Sequence, residues 1–177
     1  MTRGLLYFAF LSLLTITSCA QKNKNKEKQS LTSTKQVFPE KPIGYTSDFE
    51  NIFSLSQVSY LDSLIAQHKK ETSNEIAIVT LSLDSTVIKS AAEFDQLCLT
   101  LVNKWGIGEK DKHNGIGIIF STNLKRIRIE TGIGLVSKLT DRDAKRIIDT
   151  IITPEFKNGD YFTGMVKGVM AISDKIK

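Results

Sequence analysis

Two short apolar runs, bracketed by glycines, constrain the fold of this chain more than any other feature. The runs cover 115–121 and 126–131, and they are joined through Ser121-Thr122-Asn123. Two runs of strand length separated by a few turn-forming residues predict a β-hairpin. One glycine pair, at 106 and 108, precedes the hairpin, and a second, at 132 and 134, follows it. Such glycines mark places where the backbone turns sharply or lies close to a neighbour.

Apolar residues at helical spacing predict four helices around the hairpin, and an apolar run predicts one further strand. The first predicted helix runs from a cap at Ser54 or Ser56 to about Thr72. The other helices cover 89–104, 142–152 and 159–176, and the strand covers 75–81. A strand, a helix and a strand in succession form a right-handed parallel crossover. The expected fold is therefore a three-layer α/β/α sandwich, with a mixed sheet of three or four strands and helices on both faces.

Three local signals refine this expectation. Asp141 is expected as the N-cap of the third helix, and Pro154 is expected to stop it. Gly164 and Gly168 weaken the fourth helix intrinsically. Because they are four residues apart on one helix face, they also allow close packing on a neighbour.

The amino terminus has the layout of a secretory signal. Arg3 is followed by an apolar run at 5–14, and small residues precede Cys19. This ending resembles a bacterial lipobox, which implies cleavage before Cys19, acylation of its thiol and attachment to membrane lipid. Residues 1–18 are then the signal, and the protein is expected to be a membrane-anchored lipoprotein facing the periplasm.

Residues 19–42 are predicted to be a lysine-rich tether between Cys19 and a folded domain at 43–177. The segment is polar and low in complexity, so it buries too little apolar surface to fold. Two roles are open for it. It can act as a spacer that lifts the domain off the bilayer, or as a basic stretch that contacts anionic headgroups.

The charge of the chain lies outside the predicted domain. The chain has 24 basic and 19 acidic residues, a net charge of +5. Seven of the basic and two of the acidic residues precede residue 43, so 43–177 holds 17 of each and is neutral. This balance predicts no nucleic-acid-binding face.

Cysteine content points away from disulfides and thiol chemistry. If Cys19 is acylated, Cys98 is the remaining thiol. Its position on the apolar side of a predicted helix indicates a buried, inert group.

Acidic and amide side chains are the best candidates for a site. Carboxylate, amide and backbone oxygens are the ligands that Ca²⁺ and Mg²⁺ prefer, and loops at one edge of an α/β sheet commonly bind ligands. Zinc is not indicated, because the two histidines lack cysteine partners. The candidate metal ligands are Asp48, Asn51, Asp111, Asn114, Glu130 and Asp141.

Each acid also has a structural interpretation. Asp141 can serve as a helix cap, and Asp48 can cap a helix or turn the chain. Glu130 can pair with Lys125, Arg126 or Arg128 of the hairpin, and Asp111 can be a solvated loop charge. Arg126 and Arg128 can meet a phosphate or form an outward-facing row.

Catalytic residues are not identified. The sequence has no Gly-x-Ser-x-Gly and no setting for a catalytic cysteine. Metal-assisted hydrolysis is the reaction class that stays open.

Seven short motifs then suggest a family. They follow one another as Asp48-Phe-Glu-Asn-Ile-Phe, Thr72-Ser-Asn-Glu-Ile-Ala-Ile-Val, Asn103-Lys-Trp-Gly-Ile-Gly, Asn114-Gly-Ile-Gly-Ile-Ile, Arg126-Ile-Arg-Ile-Glu-Thr-Gly-Ile-Gly-Leu, Leu139-Thr-Asp and Gly159-Asp-Tyr. In this order they resemble the TPM domain family over about 45–172. The family includes a thylakoid-lumen protein with acid phosphatase activity, photosystem II repair factors, a nematode receptor-associated protein and many bacterial envelope proteins.

The resemblance implies a compact α/β sandwich and a divalent-cation site, with Ca²⁺ in the plant relative. Carried over by position, that site draws on Asp48, Asn51, the Asn114-Gly115 turn, Glu130 and Asp141. Two departures reduce its negative charge. His113 stands where many relatives have an acid, and Val136 stands where they often have glutamate.

Two functions follow as hypotheses. The first is a tethered, Ca²⁺- or Mg²⁺-binding module that assists assembly or maintenance of an envelope protein. The second is a low-activity, metal-assisted phosphomonoesterase. The oligomeric state is not defined by the sequence, and a monomer is the default expectation.

Overall fold

A computed structural model describes residues 38–177. The predicted signal, Cys19 and most of the predicted tether lie outside the described residues. The strands are β1 (Thr46–Asp48), β2 (Glu75–Thr80), β3 (Gly115–Ser121) and β4 (Arg126–Thr131). The α-helices are α1 (Leu55–Thr72), α2 (Ala91–Trp105), α3 (Asp141–Ile147), α4 (Thr153–Lys157) and α5 (Tyr161–Ile176), with a π-helical turn, Ile148–Ile152, between α3 and α4.

The four strands form one mixed sheet in the order β1-β2-β3-β4. β1 and β3 flank β2 in parallel, and β4 pairs antiparallel with β3. The hairpin has the predicted strand bounds. β1 was not predicted as an element, and it supplies the fourth strand.

The strand directions define two edges of the sheet. β1, β2 and β3 end at the carboxyl edge, where the hairpin loop also lies. β2 and β3 begin, and β4 ends, at the opposite edge, called the glycine edge because the bracketing glycines are there.

Helices cover both faces, so the predicted three-layer sandwich is confirmed. α2 covers one face with Phe94, Leu101 and other apolar residues, packed against Val79 and Ile119 of the sheet. The remaining helices cover the other face, where Ile76 and Ile118 contribute to the larger cluster. Residues 38–177 hold both clusters and lie within one compact unit of the chain. This part therefore meets the criteria for folding by itself.

The ends of α1 agree with the sequence signals. Ser54 is the N-cap, and its side chain accepts from the backbone N–H of Gln57 while the Gln57 side chain accepts from Ser54 in return. This reciprocal pair satisfies two donors that a helix start leaves unpaired. Ser73 ends the helix in the left-handed conformation, with φ 60°.

Two predictions for the third helix are wrong. Its N-cap is Thr140, which forms a reciprocal capping pair with Asp143, and Asp141 is the first helical residue. Pro154 does not stop the helix, which continues to Lys157 after the π-helical turn. A wide turn just before Pro154 relaxes the regular hydrogen-bond ladder where proline has no N–H to donate.

The glycines of α5 allow close helix packing, as predicted. A Cβ at Gly164 would lie 2.8 Å from the Phe156 ring, and one at Gly168 would lie 2.8 Å from Ile152. α5 thus packs tightly on the π-helical turn and α4. Between residues 38 and 177, no helix is long and apolar enough to cross a membrane.

Candidate functional site

Gly115 and two of the bracketing glycines, Gly132 and Gly134, bring backbone into contact with backbone. A Cβ added at Gly115 would overlap the carbonyl oxygen of Ile107, and one at Gly132 would overlap that of His113. A side chain at Gly134 would overlap the Lys112 carbonyl in the same way. Only glycine fits where two chain segments approach this closely. The glycines therefore bind the 106–114 loop to the ends of β3 and β4.

Asn114 holds the same loop from inside. Its buried side chain accepts from the backbone N–H of Glu109 at 2.8 Å and donates to the carbonyl of Ser73 at 2.8 Å. Its backbone carbonyl accepts from Glu75. Because both ends of the amide are already bonded within the protein, Asn114 acts here as a structural connector between α1, β2 and the loop.

A cleft of about 700 Å³ opens at this glycine edge. Its floor is largely the backbone of the glycine-containing segments, and its rim is apolar. Ile133, Val136 and Leu99 are 74%, 47% and 44% exposed, respectively. Polar groups also line it, including Glu109, Lys110, His113 and Glu130. The cleft combines bare backbone, apolar side chains and a few charges, as ligand and peptide sites commonly do.

Glu130 lies at the cleft but is paired with Arg128, as the structural interpretation of the sequence anticipated. The Arg128 Nε donates to the Glu130 carboxylate at 2.8 Å. Burial alone would lower the pKa of the guanidinium, but the Glu130 hydrogen bond and the charges of Glu130, Asp95 and Asp141 act in the opposite direction and raise it. Arg128 is thus the cation that the carboxylates of Glu130, Asp95 and Asp141 face.

Asp48 lies at the carboxyl edge, across the sheet from the cleft. Its carboxylate accepts from the hydroxyl of Thr80 at 2.6 Å and from the backbone N–H of Phe53 at 2.8 Å. Each oxygen therefore already has a protein donor. Asp48 joins β1 to β2 and fixes the turn into α1.

Glu50 extends this network, and sequence reasoning gave it no role. Its backbone N–H donates to the Thr80 hydroxyl, and its carboxylate accepts from the Ser121 hydroxyl and the Thr122 N–H. Its place in the Asp48-Phe-Glu-Asn motif was the available signal. The motif thus ties the start of the domain to the hairpin loop.

The six predicted ligands do not converge on one point. Asp48 and Asn51 belong to the carboxyl edge, whereas Asp111, Asn114 and Glu130 belong to the glycine edge. Asp111 is exposed in the loop, Asn51 is exposed with φ 55°, and Asp141 is exposed at the start of α3. Among residues 38–177, no group of three or more His, Cys, Asp or Glu side chains is placed to hold a metal ion.

Cys98 is buried in the cluster beneath α2. Burial raises the pKa of its thiol, and the charges of Glu130 and Asp95 act in the same direction. A thiol that resists ionisation is a poor nucleophile. The prediction of a buried position is confirmed.

The fold and this cleft define a class of domain: a three-layer α/β/α sandwich whose glycine-rich loops meet at one sheet edge. The family described as TPM domain matches residues 46–175. The chain belongs to this family.

Solved structures share the fold. An N-terminal domain from P. gingivalis is 27% identical, with a TM-score of 0.65 over 74% of this chain and 80% of that one. The N-terminal domain of the cg2496 protein from Corynebacterium glutamicum is 14% identical, with a TM-score of 0.56 over 79% and 84%. The BA42 protein from Bizionia argentinensis is 20% identical, with a TM-score of 0.56 over 72% and 83%. The comparison with curated proteins gave no match.

Proposed function

We propose that this protein is a membrane-tethered TPM domain that binds a protein of the cell envelope, and that the cleft at the glycine edge is its binding surface. The observation that carries the proposal is the apolar rim of Ile133, Val136 and Leu99 around a backbone-lined floor. Exposed apolar side chains grouped at a cleft mark interaction sites. A binding role is supported by this surface and needs no nucleophile.

The construction of the floor supports a polypeptide partner. Gly108 and Gly132 line the cleft, and Glu109 and Lys110 provide charges of both signs at the rim. The cleft volume of about 700 Å³ is that of a typical ligand site. A short extended segment with apolar side chains fits this combination.

A shared Ca²⁺ or Mg²⁺ centre does not fit the predicted ligand set. The oxygens of Asp48 accept from Thr80 and Phe53, and Asn114 is bonded at both ends of its amide. Glu130 faces Arg128. Cation binding and acid phosphatase activity stay predictions from the family, and no contact of these residues favours them over the binding role.

The attachment to the membrane is part of the proposal. Phe38 packs in the cluster beneath α2, and the indole N–H of Trp105 donates to the carbonyl of Pro39 at 3.0 Å. The chain therefore enters the domain at the end of α2, next to Gly106 and Ile107 of the cleft. A lipid on Cys19 would leave a tether of about 18 residues, with a root-mean-square reach of about 25 Å.

Site-specific photocrosslinking in intact cells tests the binding surface. A photoreactive residue at Val136 should give an adduct with an envelope protein, identified by mass spectrometry. Val87 is the matched control, because it is the same residue type with 46% exposure but follows β2 at the other sheet edge. Introducing Ile133→Asp should abolish the Val136 adduct. Equal adducts from both positions would refute the assignment of the cleft.

The anchor is tested separately by fractionation and palmitate labelling. The full chain is expected in the membrane fraction, and the Cys19→Ala variant should lose both the label and the membrane association. Label that survives the substitution would remove the lipid attachment from the proposal. The Val136 crosslink would still test the cleft, because that experiment does not depend on the lipid.

A further inference from the structure

The outer edge of β4 carries backbone groups with no partner among residues 38–177. Gly132 donates its N–H to the carbonyl of Gly115, and this pair continues the β3–β4 register. In an antiparallel pair, residues that exchange hydrogen bonds alternate with residues whose N–H and C=O point away. Even-numbered residues of β4 therefore bond to β3. Ile127, Ile129 and Thr131 direct their N–H and C=O groups outward.

A cleft of about 250 Å³ lies beside this edge. It is lined by Ile127 and Ile129, by Asp95 of α2, and by Asp141 and Lys145 of α3. The two helices thus stand on either side of the strand and leave space next to its unpaired groups. An edge of this kind is a template for pairing with another strand.

The charge pattern of β4 selects a second copy of β4 as that strand. Two copies related by a twofold axis pair antiparallel. When Ile129 faces Ile129 of the second copy, the outward backbone groups of both strands match. Arg128 then faces Glu130 of the second copy, and the same pair repeats on the other side of the axis. Opposite charges directly across a strand pair are stabilising.

Neighbouring registers are less favourable. A shift of two residues one way keeps two opposite-charge pairs, now between Arg126 and Glu130, but adds a like-charge pair of Arg128 against Arg128 of the second copy. The opposite shift sets Glu130 against Glu130 and has no opposite-charge pair. Like charges directly opposite destabilise a strand pair. The existing pairs within each chain do not use every group, because Arg128 Nε donates to one Glu130 oxygen and Arg128 Nη1 lies 3.9 Å from the Asp95 carboxylate. The guanidinium has further N–H donors.

We infer that the protein associates with a second copy of itself through β4, in the register centred on Ile129, and so joins two four-stranded sheets into one. The contact is small compared with a standard protein interface, so association is weak and depends on concentration. This pairing departs from the default expectation of a monomer. It does not rest on the proposed role of the cleft at the glycine edge.

Sedimentation equilibrium of residues 38–177, from micromolar to millimolar concentration, tests the inference. The Arg128→Glu variant replaces two opposite-charge pairs by two like-charge pairs. Its dimer dissociation constant should rise at least ~10-fold. The Arg128→Glu,Glu130→Arg variant restores both pairs, and its dissociation constant should return to within ~3-fold of the original value.

Arg126→Glu is the matched control. It changes the net charge by the same amount on the same strand, but Arg126 faces Gly132 of the second copy in this register. Its effect on the dissociation constant should stay below ~3-fold. Equal effects of the Arg126 and Arg128 variants would overturn the inference, as would the absence of self-association at millimolar concentration.

A measurement on the unaltered protein tests the same register without relying on variants that must fold. In a mixture of isotope-labelled and unlabelled protein, filtered NMR should show a contact between the Arg128 Hα of one copy and the Glu130 Hα of the other. Directly opposed residues that do not exchange hydrogen bonds bring these hydrogens together. A dimer without this contact uses another surface, which would also overturn the inference.

Discussion

The Thr80 hydroxyl donates to the Asp48 carboxylate over 2.6 Å and joins the carboxyl ends of β2 and β1. The same hydroxyl accepts from the backbone N–H of Glu50. Thr80 is fully buried, so these bonds are shielded from water. An acid predicted as a ligand from its motif is thus an acceptor within the fold.

Replacing Thr80 should reveal the structural role of Asp48. Thr80→Val keeps the shape but removes the donor to a carboxylate, and it should lower the free energy of unfolding by about 2–3 kcal/mol. Thr80→Ser keeps the hydroxyl and should cost about 1 kcal/mol, for the lost methyl group. Urea denaturation of residues 38–177 measures both. Equal stability of the valine variant and the unaltered protein would contradict the assignment.

The two kinds of glycine at the glycine edge should respond differently to substitution. A Cβ at Gly132 overlaps the His113 carbonyl, so Gly132→Ala forces backbone apart and should cost about 3 kcal/mol or more. Gly106 has φ 64° with no heavy atom near its Cβ position, so Gly106→Ala should cost only about 1 kcal/mol. Thermal and urea unfolding compare the two. Similar losses would mean that conformation, not close approach, explains these glycines.

His68 should make stability depend on pH. Burial lowers the pKa of its imidazole from the usual 6.5, the charge of Lys177 lowers it further, and Glu71 and Asp174 oppose the shift. A group with a lowered folded pKa stabilises the protein above its unfolded pKa, and that contribution is lost as pH falls toward the folded value. The free energy of unfolding should therefore decrease on acidification below about pH 6.5.

Urea denaturation between about pH 7.5 and about pH 5 measures this dependence. The His68→Gln variant should lack this part of the slope. The His113→Gln variant, which retains His68, should keep it. A slope that survives His68→Gln would assign the pH dependence to other groups.

Cys98 should be unreactive in the folded domain. Its thiol is fully buried and its pKa is raised by burial. Residues 38–177 should therefore show no reaction with a thiol reagent until denaturant is added, when one thiol reacts. Ser85→Cys places a thiol at an exposed position and should react at once in the native state. Rapid native-state labelling of Cys98 would refute the burial.

Periodicity in the sequence was sufficient for the larger elements. The hairpin strands and the span of α1 follow from long, regular patterns with clear end signals. β1 is three residues long and exists because it pairs with β2, so no local pattern marks it. The start of α3 was misassigned because Thr140 and Asp141 are both acceptable caps, and the reciprocal bond to Asp143 decides between them.

The candidate ligands lie at two sheet edges for a topological reason. Asp48 ends a strand, whereas Asn114 precedes one that runs parallel to it within the same sheet. The two residues therefore lie at opposite edges, separated by about six residues of strand or roughly 20 Å. Without β1 in the prediction, the direction of the chain at Asp48 was undefined. The cleft, by contrast, combines side chains from α2 and two loops that are far apart in sequence.

The π-helical turn at Ile148–Ile152 has a consequence for sequence alignment. Such a turn has i→i+5 hydrogen bonds and so holds one residue more than an α-helical turn. A relative that is one residue shorter here should form an unbroken α-helix, with its proline displaced or absent. A one-residue gap just before Pro154 in a sequence alignment should therefore mark relatives whose helix geometry differs here. It also identifies which of them can bring a helix close to Gly164 and Gly168 in the way this chain does.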